Sequence, residues 1–166
     1  MSKGWHSRGY LPHFDSPEIV QFITFNLADG LPAAVSRALR LRQLGVEDLD
    51  SELDTGRGAC WLGRSEIASF VQDALLHFDG DRFVIELRDD HTLGAIVRSW
   101  KSFTARKANE FLKRAGEFWH ADYFDRFMRN EEHLAATMEY VEQNPVKARL
   151  VSKAEDWAWS SAALRK

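Results

Sequence analysis

Residues 21–27 read QFITFNL, and this stretch decides the fold class. Its Phe, Ile and Thr content and its alternation predict a strand. Phe22, Thr24 and Asn26 fall on one side, and Ile23, Phe25 and Leu27 on the other. Residues 82–88, RFVIELR, predict a second, shorter strand after the turn FDGD at 78–81. Around these two lie helical patterns. Residues 32–44 open with Pro32, which suits a first turn, and carry Val35, Leu39 and either Leu41 or Leu44 on one face. In residues 65–77, Ser65 serves as N-cap and Ile67, Phe70, Val71, Ala74 and Leu75 as the apolar face. A long helix is predicted from a Thr92 cap to Arg114, ended by Gly116. Leu93, Ile96, Val97, Trp100, Thr104, Ala108 and Phe111 make its stripe. A last helix is capped by Asn130 and turns Leu134, Met138 and Val141 inward. Pro145 is expected to end it.

Strands flanked by helices imply an α+β fold, with helices on one or both faces of a small antiparallel sheet. Residues 118–127, FWHADYFDRF, read as aromatic and irregular. Residues 1–17, with Gly9, Pro12 and Pro17, read as an irregular arm, and 46–60 as an acidic loop with Gly56 and Gly58. In the tail, Trp157 or Trp159 is expected to pack back on the body. The sequence therefore offers only two strands, where three or more are usually needed for a stable sheet.

The 166 residues suit a single domain spanning 1–166. A hydrophobic content of 45% and a charged content of 28% are those of a globular chain. No apolar run approaches the roughly 20 residues of a membrane span, and the first fifteen residues hold no apolar signal core. Cys60 stands alone, which excludes an internal disulfide framework and a cysteine-cluster zinc site. A cytoplasmic protein without membrane partners is expected.

The net charge of −3 hides an uneven distribution. Glu47, Asp48, Asp50, Glu52 and Asp54 crowd one stretch, and without these five the net charge becomes +2. Between Arg98 and Arg129, eight Lys and Arg residues face four acids. By itself this basic run reads as a solvated helical face.

Tyr140 and Asn144 are four residues apart, so a phenol and an amide share one face of the last helix. His133 and Thr137 extend that polar side. A phenol can attack a phosphodiester and hold the cleaved strand as phosphotyrosine, provided a metal or cations polarise the phosphate. An arbitrary helical tyrosine is otherwise a boundary residue with its hydroxyl in water.

The segments SWKSFTARKAN (99–109), EFWHADYFDRFMRNEEHL (117–134), YVEQNPVKARLV (140–151) and EDWAWSSA (155–162) occur in this order. Together they closely resemble the REP-associated tyrosine transposases, relatives of the single-tyrosine insertion-sequence transposases. SRGYLPHFD (7–15), FITFNLADGLP (22–32) and residues 56–83 also look like that family, so the resemblance covers nearly the whole chain. It implies a ferredoxin-like antiparallel sheet flanked by helices. It also implies DNA transposition, in which single-stranded DNA is nicked and rejoined beside palindromic hairpins through a phosphotyrosine. The nucleophile would be Tyr140. Asn144 would be one ligand of Mg²⁺ or Mn²⁺, beside a His-hydrophobic-His pair on a central strand. A basic helix would track phosphates, with Lys101, Arg106 and Lys107 as the first contacts and Arg98, Lys113 and Arg114 beside them.

The sequence departs from the family at one point. His6, His13, His77, His91, His120 and His133 are its only histidines, and no two stand two residues apart. The strand that bears the pair in the family would fall where Phe83 runs straight into Val84, a loss of roughly 5–15 residues on strand and hairpin dimensions. The expectation is a sheet with one central strand missing or shortened. One amide cannot hold a divalent ion, so nicking should be impaired. His77 and His91 flank the gap; they are read first as satisfied or exposed surface histidines, and as replacements for the lost pair only if the fold brings them near Tyr140. A non-enzymatic DNA-binding remnant is the alternative to a transposase, and monomer and homodimer both remain open.

Overall fold

A computed structural model describes residues 4–7, 12–16, 19–32, 34, 35, 37, 58–76, 85–86 and 92–165. The strand predicted at 21–27 is β3, Val20–Thr24, following two short strands, β1 (Gly4–Ser7) and β2 (Pro12–Asp15). β3 is the middle of a three-stranded antiparallel sheet, between β4 (Ile85–Glu86) and β5 (Phe124–Phe127). The register pairs Gln21 with Phe127 and Thr24 with Phe124 on one side, and Gln21 with Ile85 on the other. An isolated bridge between Leu27 and Trp119 carries the pairing past the end of β3.

Two regions expected to be irregular are strands. Residues 118–127 contain β5, which supplies the third strand that the sequence lacked. Its aromatic and charged residues alternate too weakly to reveal it; pairing with β3 makes it a strand. The amino-terminal arm contains β1 and β2, paired Trp5 to Phe14 and His6 to His13 in a separate antiparallel sheet. Pro12, read as a breaker, is the first residue of β2, a position where a strand tolerates proline.

The main helices are α1 (Ser65–Leu76), α2 (Leu93–Phe111) and α3 (Glu131–Lys147). Ser65 lies inside α1 rather than at its cap, because the Arg64 carbonyl already accepts from Ala68 N at 2.9 Å. Thr92 caps α2 as expected, its hydroxyl accepting from Ala95 N at 3.3 Å. α2 ends at Phe111, before Arg114, and Lys113 takes a left-handed φ of 52° that stops the helix. Asn130 caps α3, accepting from His133 N at 2.8 Å. Pro145 does not end α3. The helix runs to Lys147 with Pro145 buried, since one lost amide bond near a helix end is tolerated once the ring is packed.

The core has two parts. Leu27, Ile67, Ala108, Phe118 and Trp119 form one, and Leu93, Val97 and Trp100 the other. Ile23 packs on the second and Phe25 on both, so the alternation within QFITFNL turns Ile23, Phe25 and Leu27 toward the helices. Thr104 links α2 to the segment before β5: its hydroxyl donates to Trp100 O at 2.7 Å and accepts from Trp119 Nε1 at 2.8 Å. Phe111, expected in the stripe, is 42% exposed at the end of α2. Leu134, Met138 and Val141 are half-buried. The buried residues of α3 are Glu142 and Pro145, because α3 packs on the short carboxyl-terminal 3-10 turns Ala154–Asp156 and Ser161–Arg165. Trp157 and Trp159 are both half-buried. Most of the predicted helix at 32–44, nearly all of the acidic loop, the ends of the 82–88 strand, His77 and His91 lie outside the described residues.

Candidate functional site

α3 presents Tyr140 to solvent at 43% exposure, with Asn144 exposed one turn further on. The ammonium of Lys147 stands 4.7 Å from the centre of the Tyr140 ring. Thr137, on the same face, turns its hydroxyl to His133 O at 2.8 Å and is held to the helix backbone. The phenol, the amide and a cation therefore share one open face. Lys147 was not singled out from the sequence, although its seven-residue spacing from Tyr140 is two helical turns.

Along α2, Arg98, Arg106 and Lys107 are exposed, and Lys113 is exposed beyond its end. The Arg106 guanidinium lies 5.9 Å from the centre of the Phe103 ring, and Phe103 is itself 43% exposed. Arg114 is half-buried and donates to Glu117 O at 3.0 Å. Lys101 corrects the expectation made for it. Its ammonium points inward and donates to the carbonyls of His120, Ala121 and Asp122 at 2.6, 3.2 and 3.0 Å. Three N–H donors meet three acceptors, which leaves none for a phosphate. Burial draws Lys101 down to about 8, against the pull of the Asp122 charge. The sequence hid this because Lys101 looks like its exposed neighbours in composition and differs only in helical phase.

A buried polar cluster was not read from the sequence. His13 is fully buried on β2, between two carboxylates. Its Nε2 meets Asp122 Oδ1 at 3.1 Å, and its Nδ1 bonds Asp125 Oδ1. The ring stacks on Tyr123, centroids 4.2 Å apart. Asp125 also accepts from Phe14 N at 3.1 Å, and Asp122 from Tyr123 N at 3.0 Å. Burial pulls the His13 pKa down, but the hydrogen bonds and charges of Asp122 and Asp125 outweigh it and raise the pKa to about 9. The imidazolium is thus the resting form at neutral pH. Nearby, burial holds His120 below the usual histidine value, with Asp122 opposing. The sequence signal was the two short segments PHFD and ADYFD, which are too far apart in the chain for their pairing to be read.

Asn144 offers one amide oxygen, and among the described residues no three His, Cys, Asp or Glu side chains are grouped to hold an ion. Among the described residues, no helix is long and apolar enough to cross a membrane. No family model, curated protein or solved structure matches the chain.

Proposed function

We propose that the chain binds single-stranded or hairpin DNA, as a protein of REP-associated tyrosine transposase type whose metal-dependent nicking is impaired. The observation that carries this is the open face of α3, where Tyr140 stands with Asn144 one turn on and Lys147 against its ring. A nucleophile that holds a DNA strand must be reachable by a phosphodiester, with a cation beside it. In support, Arg98, Arg106 and Lys107 are exposed basic residues along the solvent side of α2. The antiparallel sheet and its helices are then a ferredoxin-like body, and the lost strand belongs where Phe83 runs straight into Val84 in the sequence. Of the two described tyrosines, Tyr123 is stacked on His13 and Tyr140 is exposed, so Tyr140 is the nucleophile of this reading, and the absence of any His-x-His from the sequence is what impairs it. The remnant alternative keeps the DNA contacts and no chemistry. Both call for DNA binding, measured with a labelled hairpin over a salt series. Binding that ignores salt and survives loss of Arg106 and Lys107 would refute both.

A further inference from the structure

We propose that Trp61, Arg64 and Arg114 form a grip for the phosphate backbone of single-stranded DNA at the carboxyl-terminal end of α2. It rests on the DNA-binding reading above and assigns the unpaired strand its own contact. Trp61 lies in the 3-10 turn Trp61–Gly63 and packs against the core cluster around Ile67. The loop before it is pinned: Asp29 Oδ2 accepts from Ala59 N at 2.9 Å. Gly58, at φ +90°, lies so close that a Cβ there would meet Asp29 O at 2.7 Å.

Two guanidiniums lie within 6 Å of the centre of this fixed indole. Arg64 lies 5.3 Å and Arg114 5.9 Å from the ring centre. Their backbones are fixed independently, Arg64 N on Trp61 O at 3.1 Å and Arg114 N on Asn109 O at 3.0 Å. Among the described residues, no carboxylate pairs with either side chain. Two like charges on one ring favour an anion, and although one Arg114 nitrogen is held by Glu117 O, the arginine forks keep N–H donors that match phosphate oxygens.

The choice of a single strand comes from Phe111. It is 42% exposed three residues before Arg114, edge-on to Phe70 with centroids 5.9 Å apart. An exposed ring three residues from one of the two arginines suits an unpaired base, which can stack on it; a duplex has its bases already stacked.

The test uses the full chain, a fluorescein-labelled oligo-dT as the unstructured probe and a blunt hairpin as the second probe, with anisotropy read over a salt series. Arg64→Ala and Arg64→Gln should each weaken oligo-dT binding severalfold. Each should also flatten its log–log salt slope by about 0.7, the value for one phosphate contact on a single strand. Phe111→Ala should weaken oligo-dT binding with the slope unchanged. Hairpin binding should keep its affinity in all three. Arg64 is exposed, so the variants should melt like the parent. Unchanged oligo-dT affinity in both Arg64 variants overturns the grip. A parent that binds the hairpin but not oligo-dT also overturns it and leaves the DNA-binding reading standing. A parent that binds neither probe overturns both.

Discussion

His13 and Asp125 stand 112 positions apart and share a hydrogen bond that fastens the amino-terminal hairpin to β5. Asp122 holds the other ring nitrogen of His13, and Gln21 reaches from β3 to the Phe14 carbonyl. Trp5, Phe14 and Phe127 close over the outside, with centroids 5.2 to 6.4 Å apart. A buried imidazolium with a carboxylate on each side tolerates the interior because both nitrogens are satisfied.

Folding stability should therefore fall in alkali. The His13 pKa rises from 6.5 to about 9 on folding, so the folded state holds the proton more tightly. The resulting stability is complete below about pH 6.5 and is lost as the pH climbs through 9. Urea unfolding at pH 6 and at pH 9.5 should show the loss, and His13→Gln should remove that pH dependence. His13→Ala should cost about 3–5 kcal/mol at pH 6, because two buried carboxylates lose their partner.

Lys101→Ala should act on stability rather than on DNA. The carbonyls of His120, Ala121 and Asp122 would lose their shared donor. A loss of about 1–3 kcal/mol is expected in a denaturant melt. The salt slope of hairpin binding should stay that of the parent. A flattened slope with unchanged melting would return Lys101 to the DNA contacts.

Arg106→Ala with Lys107→Ala should do the reverse. Both side chains are exposed on α2, so melting should hold while hairpin affinity falls. The log–log salt slope should shrink by about 0.9 for each duplex phosphate that is no longer neutralised. Anisotropy with a labelled hairpin measures both quantities.

Glu142 should anchor the carboxyl-terminal turns in a pH-dependent way. Burial raises its pKa, but hydrogen bonds from Ser161 and Arg165 and the Arg165 charge bring it below 4.5. Its folded-state value is the lower one, so the stabilisation is full above about pH 4.5 and is lost as the pH falls from there through the lower folded-state pKa. Glu142→Gln should weaken protection of residues 154–165 from proteolysis at pH 7 and make little difference at acid pH.

Local pattern carried those parts of the fold whose neighbours are close in sequence. The inward set Ile23, Phe25 and Leu27, the Thr92 and Asn130 caps and the buried phase of α2 all follow from spacing within a turn or a strand. β5 and the β1–β2 hairpin escaped because pairing rather than alternation makes them strands. The open face of Tyr140 and Asn144 was legible from a four-residue spacing. The His13 cluster was not, since it needs three chain segments at once, and the inward turn of Lys101 depends on where the loop at 120–122 returns.

Tyr140 itself leads to a prediction about chemistry. It is exposed, shares its face with Asn144 and has a cation over its ring, whereas Tyr123 is stacked on His13 at the buried cluster. An attacking phenol needs its proton removed and the phosphate polarised, and one amide with one ammonium supplies too little of either. Labelled hairpin DNA incubated with the chain and Mg²⁺ or Mn²⁺ should therefore give little or no protein–DNA adduct on a denaturing gel. On the proposed function, inserting between Phe83 and Val84 a strand with the His-hydrophobic-His pair of the REP-associated tyrosine transposases should confer metal-dependent nicking and the adduct. Tyr140→Phe in that repaired chain should abolish both, and Asn144→Ala should weaken them by reducing metal affinity. Strong Tyr140-dependent adduct formation by the unrepaired chain would refute the impaired site. His77→Ala and His91→Ala would then identify which histidine supplies the missing ligand.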